Sequence, residues 1–101
     1  MSAFLIIDVA EIHDPETYAR YRAQVSPGLV RAGGRYRARG GKVEVLEGSW
    51  QPGRVVVVEF DSPAEARQWW ASPEYTELKE LRQRATRSHM ILVEGLAELE
   101  G

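Results

Sequence analysis

The side chains able to do chemistry in this sequence are few. Asp8 and Glu59 stand near the ends of two apolar runs, and His13 and His89 are the only histidines. Tyr18, Tyr21, Trp69, Trp70, Tyr75 and Arg82 fall in segments with helical spacing. Two carboxylates near the ends of neighbouring strands act as acid or base when buried, and an aromatic cluster with a few polar groups can line a small-molecule pocket. His89, Glu59, Asp8 and Tyr18 are therefore the candidate catalytic residues. Arg82, Tyr21, Trp69 and Arg37 are the candidates for ligand binding. Each has a plainer reading beside it. The carboxylates can end strands in solvent or pair with Arg82 or Arg35, the aromatics suit a core, His13 suits a surface loop, and His89 suits a core or interface position. No nucleophile, base and orienting group occur together, so no reaction follows and the question of catalysis stays open.

The stretch AGGRYRARGGKV, from Ala32 to Val43, holds two glycine pairs, and from Arg31, just before it, to Lys42 five cations occur with no acid among them. A phosphate loop would end in Gly-Lys-Ser/Thr, but Gly41-Lys42 is followed by Val43, and Tyr36 stands where the first glycine belongs. A dinucleotide fingerprint must close a strand and open a helix, whereas these glycines follow a helix. The sheet phase offers another reading. Tyr36 and Ala38 share one face opposite Arg35, Arg37 and Arg39, yet the later apolar residues Val43 and Val45 are odd-numbered. A bulge at Gly40-Gly41 would absorb the slip and leave one long bent edge strand from Tyr36 to Val45. A hairpin at the glycines is the alternative. The arginines would then face solvent or a partner, where charge also protects a sheet edge.

The elements follow from local signals. Ala3 to Val9 reads as a central strand. Asp14-Pro15 caps a helix carrying Tyr18, Tyr21, Val25 and Leu29, with Pro27 expected to kink or split it and Gly33-Gly34 to stop it. After Gln51-Pro52-Gly53, the run RVVVVEF from Arg54 to Phe60 is the clearest strand. Ser62-Pro63 opens a short helix with Ala66, Trp69 and Trp70, and Ser72-Pro73 opens another with Tyr75, Leu78, Leu81 and Ala85. His89 to Glu94 forms the last strand. This βαββαβ order predicts an α+β, ferredoxin-like fold, a four-stranded antiparallel sheet with its helices on one face. The strands are nonetheless apolar on both faces, so the uncovered face is expected to meet a second copy of the chain.

Composition narrows the classes. One domain over 1–101 is expected for 101 residues. With 13 Lys+Arg against 15 Asp+Glu, net −2, overall charge gives a polyanion no purchase, and the valine-rich third strand lacks the exposed aromatics of a sheet-based RNA reader. Nucleic acid is not an expected partner; anion or nucleic-acid binding through Arg31 to Lys42 is a remote alternative. Without cysteine neither disulfides nor thiolate metal sites are possible, which suits a cytoplasmic location. Two scattered histidines do not suggest a metal site, and no cofactor is expected. The N-terminal apolar run stops at Asp8 and suits neither a leader nor a membrane span.

Several short pieces recur in a fixed order. They are Asp14-Pro15 with Tyr18 and Tyr21, Gly33-Gly34-Arg35, Arg39-Gly40-Gly41, Leu46-Glu47-Gly48-x-Trp50, the valine strand ending Glu59-Phe60, Ser72-Pro73-Glu74-Tyr75 with Leu78 and Arg82, and Val93-Glu94-Gly95. As an ordered set the chain resembles the family numbered 1330 among domains of unknown function. The resemblance implies a ferredoxin-like protomer that pairs sheet to sheet as a dimeric α+β barrel, a superfamily that includes cofactor-independent monooxygenases, isomerases and haem-handling enzymes. The expected function is small-molecule binding or cofactor-independent catalysis in the barrel cleft, with a non-catalytic dimeric scaffold or regulatory module as the alternative.

Overall fold

Every helix here begins with a polar cap followed by proline. Asp14 accepts from the Thr17 amide at 3.2 Å and the Thr17 hydroxyl at 2.7 Å. Ser62 accepts from the Glu65 amide, and Ser72 from the Tyr75 amide, each at 3.2 Å. Proline at the first helical position loses no bond, because that amide has no intrahelical acceptor. The caps define α1 (Pro15–Arg31), α2 (Pro63–Ala71) and α3 (Pro73–Ala85). With β1 (Ala3–Ile12), β2 (Arg35–Arg39), β3 (Arg54–Phe60) and β4 (Thr86–Glu94) they complete the fold of the computed structural model, which describes residues 1–97.

The strands form one antiparallel sheet in the order β2-β3-β1-β4. This is the expected ferredoxin-like arrangement, with β1 and β3 at the centre. Side chains alternate across a sheet, so β1 divides cleanly. Leu5, Ile7 and Val9 are buried against Tyr18, Tyr21, Val25, Leu29, Ala66, Trp69, Tyr75 and Ala85 of the helices. Phe4, Ile6 and Asp8 lie on the opposite, open face. At about 25 cal/mol per Å² of apolar surface, burial of the first set drives the assembly of the layers.

Several boundaries differ from the sequence-based expectation. α1 runs as one helix through Pro27 instead of splitting; Pro27 is exposed, so the carbonyl it leaves unbonded can meet water. β1 continues to Ile12 past an irregularity between Val9 and Glu11, and β4 begins at Thr86. The largest departure is β2. It ends at Arg39 and does not reach Val45, and residues 41–53 lie outside any strand. The bulge exists, but at Arg37: Tyr36 pairs with Val58 and Ala38 with Val57, leaving two residues of β2 opposite one step of β3. This shifts Arg39 to the helix side with Tyr36 and puts Ala38 on the open face, which corrects the simple alternation.

Gly40 marks the end of pairing. Its amide donates to the Val55 carbonyl at 2.9 Å, and its φ is +71°. The sequence phase predicts that the Gly40-Gly41 pair bends one continuous strand; instead the positive φ of Gly40 stands just past the strand's end. A β-carbon here would overlap Nη1 of Arg54, whose guanidinium lies against the bare Cα. Gly41 has open space around it. Left-handed backbone costs a non-glycine residue about 1–2 kcal/mol, so Gly40→Ala should lower the melting temperature by about 5–15 °C while Gly41→Ala changes it by only about 2 °C. Equal melting temperatures for the two variants in a calorimetric scan would contradict this account of the turn.

Candidate functional site

Between α1 and the sheet lies a cleft whose floor is set by strand register. Leu5, Val58, Leu92 and Tyr36 make one row on the helix side, Ile7, Val56, Met90 and Arg39 the next, and Val9, Arg54 and Ser88 the row at the sheet's end. The inner cavity, about 40 Å³, is bounded by Tyr18, Tyr21, Val25, Trp69 and Arg82 among others. Alone it has room for a few waters. It opens beside a wider bay of about 370 Å³ between Ala19, Arg22, Ala23, Arg39 and Arg54, with which it shares Arg22, Arg39 and Arg54, so a larger molecule in the cleft occupies both spaces.

A buried polar chain reaches this cavity. Arg82, in the last turn of α3, is only 5% exposed, and no carboxylate among the described residues bridges it. Its Nη1 donates to Ser88 Oγ at 2.6 Å and its Nε to the Tyr75 hydroxyl at 3.4 Å. The Tyr75 and Tyr21 hydroxyls are 3.0 Å apart, and Thr86 Oγ1 donates to the Arg82 carbonyl. A buried guanidinium without a counter-ion is expensive unless its donors are used. These hydroxyls use some of them. Burial, and then the neighbouring Tyr75, push the Tyr21 hydroxyl far above its ordinary value of 10.0, so it stays a neutral phenol and does not serve as a base. Tyr18 stacks on Tyr21 with ring centres 5.9 Å apart, and Trp69 packs against Tyr75 at 4.0 Å.

The open face holds different chemistry. Register places Val93, Phe4, Glu59 and Arg35 in one row, Ile91, Ile6, Val57 and Ala38 in the next, and His89, Asp8 and Val55 in the third. Asp8 is buried because residues 41–53 fold back over it. Its Oδ1 accepts from the Gly53 amide at 2.8 Å and its Oδ2 from Trp50 Nε1 at 3.0 Å. Both oxygens are thus occupied in holding the β2–β3 connection. Glu59 receives Arg37 Nε at 2.8 Å and lies 3.7 Å from Arg35, which also pairs with Asp61 at 2.9 Å. The hydrogen bond from Arg37, and then one from Ser2, hold Glu59 below its ordinary 4.5, so it is ionised at neutral pH. His89 is exposed beside Asp8, and His13 is exposed 3.9 Å from Glu11.

The eight candidates therefore divide between the faces. Tyr18, Tyr21, Trp69 and Arg82 meet at the cleft. Asp8, Glu59, His89 and Arg37 lie on the open face, where the sheet separates them from it. Arg22, Arg39 and Arg54 line the cleft without having been candidates. The signal for Arg54 was present, since Val56, Val58 and Phe60 share its parity and face the helices; for Arg39 it was hidden by the bulge at Arg37. Among the described residues no three His, Cys, Asp or Glu side chains gather as a metal site, and no helix is long and apolar enough to cross a membrane.

With this geometry in view, the fold can be placed among solved structures. A protein of unknown function from Rhodopseudomonas palustris superposes with a TM-score of 0.77 at 23% identity, over 95% of this chain and 83% of that one. SnoaB, a cofactor-independent oxygenase from Streptomyces nogalater, gives 0.65 at 13% identity, over 99% and 98%. A dimeric protein of unknown function and ferredoxin-like fold from Bacteroides fragilis gives 0.54 at 12%, over 93% and 96%. At these identities the likeness is one of fold. No curated protein matches the chain. The model of the family described as "Domain of unknown function (DUF1330)" matches residues 2–96, nearly the whole sequence, and the chain belongs to that family.

Proposed function

We propose that this protein is a homodimer that binds a small organic molecule in the cleft between α1 and the sheet. The observation that carries the binding reading is Arg82, a buried cation with no carboxylate partner among the described residues, linked through Tyr75 and Tyr21 to an otherwise mostly apolar cavity. Apolar walls with a few convergent polar groups are the usual make-up of a ligand site. Tyr18 and Trp69 supply aromatic surface, and the hydroxyls supply orientation.

Among the described residues the cleft lining contains no carboxylate, imidazole or thiol, and Tyr21 is held in the neutral form. This favours binding over proton abstraction by a side chain. The fold shared with SnoaB supports a second reading, cofactor-independent catalysis, in which Arg82 and the hydroxyls would stabilise negative charge developing on the substrate itself.

The dimer is supported by the open face. Ile91 and Val93 are 56% and 41% exposed, next to half-buried Phe4, Ile6, Val55 and Val57, and a continuous apolar surface of this kind marks an interface. A second copy is the partner whose own apolar face matches it through a two-fold axis. The solved relative from Bacteroides fragilis is dimeric.

Two measurements test these parts separately. Light scattering on a sizing column should return twice 11.4 kDa, and Ile6→Glu, which places a charge in the middle row of the open face, should return the monomer mass; a monomeric wild type removes the dimer. For the cleft, neutral 2-naphthamide should bind with a Kd on the order of 0.1 mM, the value that about 0.4 kcal/mol per non-hydrogen atom gives a probe of that size. Nuclear magnetic resonance shifts should centre on Trp69, Tyr18 and Tyr21, and Val25→Trp, which fills the cavity, should abolish them. Shifts confined to the open face, or none, would remove the cleft reading.

A further inference from the structure

We infer that the molecule taken by the cleft is an organic anion, an aromatic or apolar body with one carboxylate, and that Arg22, Arg39 and Arg54 receive the charged group. This rests on the cleft-binding reading and adds the ligand's charge to it.

The arginines of this chain fall into two sets. Arg31 pairs with Glu74, Arg35 with Asp61 and Glu59, Arg37 with Glu59, and Arg87 with Glu11. Arg22, Arg39 and Arg54 have no carboxylate within bridging distance among the described residues, although they border one bay. Arg20, Arg67, Arg82 and Arg84 also lack one among the described residues, but they do not border this bay. No acid among the described residues lines either the bay or the inner cavity. Three guanidinium groups converging without a counter-charge repel one another and raise the local potential, which favours an anion there.

The fold also holds these groups in place. β-sheet register sets Arg39 and Arg54 in consecutive rows at the end of the sheet. The Arg54 guanidinium lies against the Cα of Gly40, a position that no larger residue would leave free, and its Nε is enclosed with no hydrogen-bond partner among the described residues. Arg39 lies over the Tyr36 ring at 4.4 Å and donates to the Arg22 carbonyl at 3.5 Å, tying β2 to α1 across the mouth. A planar fork of donors suits a carboxylate. Behind it Ile7, Val25, Leu29, Val56 and Trp69 offer apolar walls for the body of the ligand.

A polyanion does not suit the site. The remaining cations of the basic stretch do not extend it as a track, since Arg35 and Arg37 are on the other face of the sheet and already paired. The bay accommodates a single small group.

The test compares two isosteric probes, 2-naphthoate and 2-naphthamide, by calorimetric titration at low ionic strength. Wild type should bind the carboxylate about tenfold to a hundredfold more tightly than the amide, as charge-assisted hydrogen bonds imply. In the double variant Arg39→Gln, Arg54→Gln the ratio of the two dissociation constants should fall to about one. Its melting temperature should change by no more than about 5 °C, because relief of mutual repulsion offsets the lost Arg39 contacts to Tyr36 and Arg22, and this separates lost recognition from lost folding. Equal affinities in wild type would overturn the inference and leave the cleft reading standing. Failure of both probes to bind would overturn both. A ratio that survives the double substitution would overturn the assignment to these arginines.

Discussion

The strict alternation of β1 from Ala3 to Val9 is the constraint on which the rest depends. A strand ten residues long at the centre of the sheet must present successive side chains to opposite sides, and here both sides are apolar. The odd positions, Leu5, Ile7 and Val9, meet the helices. The even positions, Phe4 and Ile6, have no helix to meet. One layer of helices can cover only one face of a sheet, so the fold leaves an apolar surface on the other, which residues 41–53 cover only in part. The same alternation also separates the chemistry of the molecule, because a group on one side cannot act with a group on the other.

That separation gives the charged residues distinct roles. On the open face Glu59, Asp61, Arg35 and Arg37 neutralise one another at the sheet edge, and Asp8 is used up as an anchor for Gly53 and Trp50. On the helix side the guanidinium groups of Arg82, Arg22, Arg39 and Arg54 have no acid partner among the described residues. Solvated ion pairs such as Arg35–Asp61 contribute little to stability, about 0–1 kcal/mol. An enclosed guanidinium such as that of Arg82 is a different matter. It persists because the Tyr75 and Ser88 hydroxyls take part of its hydrogen-bonding capacity and the surrounding packing fixes its place. The Tyr18, Tyr21, Trp69 and Tyr75 cluster provides that packing.

How far the sequence could be read depends on which forces act locally. The three cap-proline starts, the valine strand and the final apolar run each follow from contacts between near neighbours, and the elements appear where those signals stand. The βαββαβ order then leaves the ferredoxin-like sheet as the natural solution. Tyr18, Tyr21, Trp69 and Arg82 could be singled out because helical spacing and residue type are visible in one dimension. Asp8 and Glu59 also looked reactive, being carboxylates at strand ends, but their partners are set by distant residues. Trp50 lies 42 positions from Asp8 and Arg37 lies 22 from Glu59. No local pattern carries that information.

The glycine-rich segment shows the same division. Gly40 was identifiable as a turn position from sequence, because only a residue without a β-carbon takes a left-handed backbone without cost. The bulge at Arg37 and the end of β2 at Arg39 arise from register against β3, a long-range pairing. A one-residue shift there moves Arg39 from solvent to the mouth of the cleft. By itself the sequence determined the elements, their order and the two-faced apolar sheet, since these rest on spacing and backbone preference. Only the tertiary structure decided which arginines are neutralised and which converge, because charge pairing depends on distance in space and not along the chain.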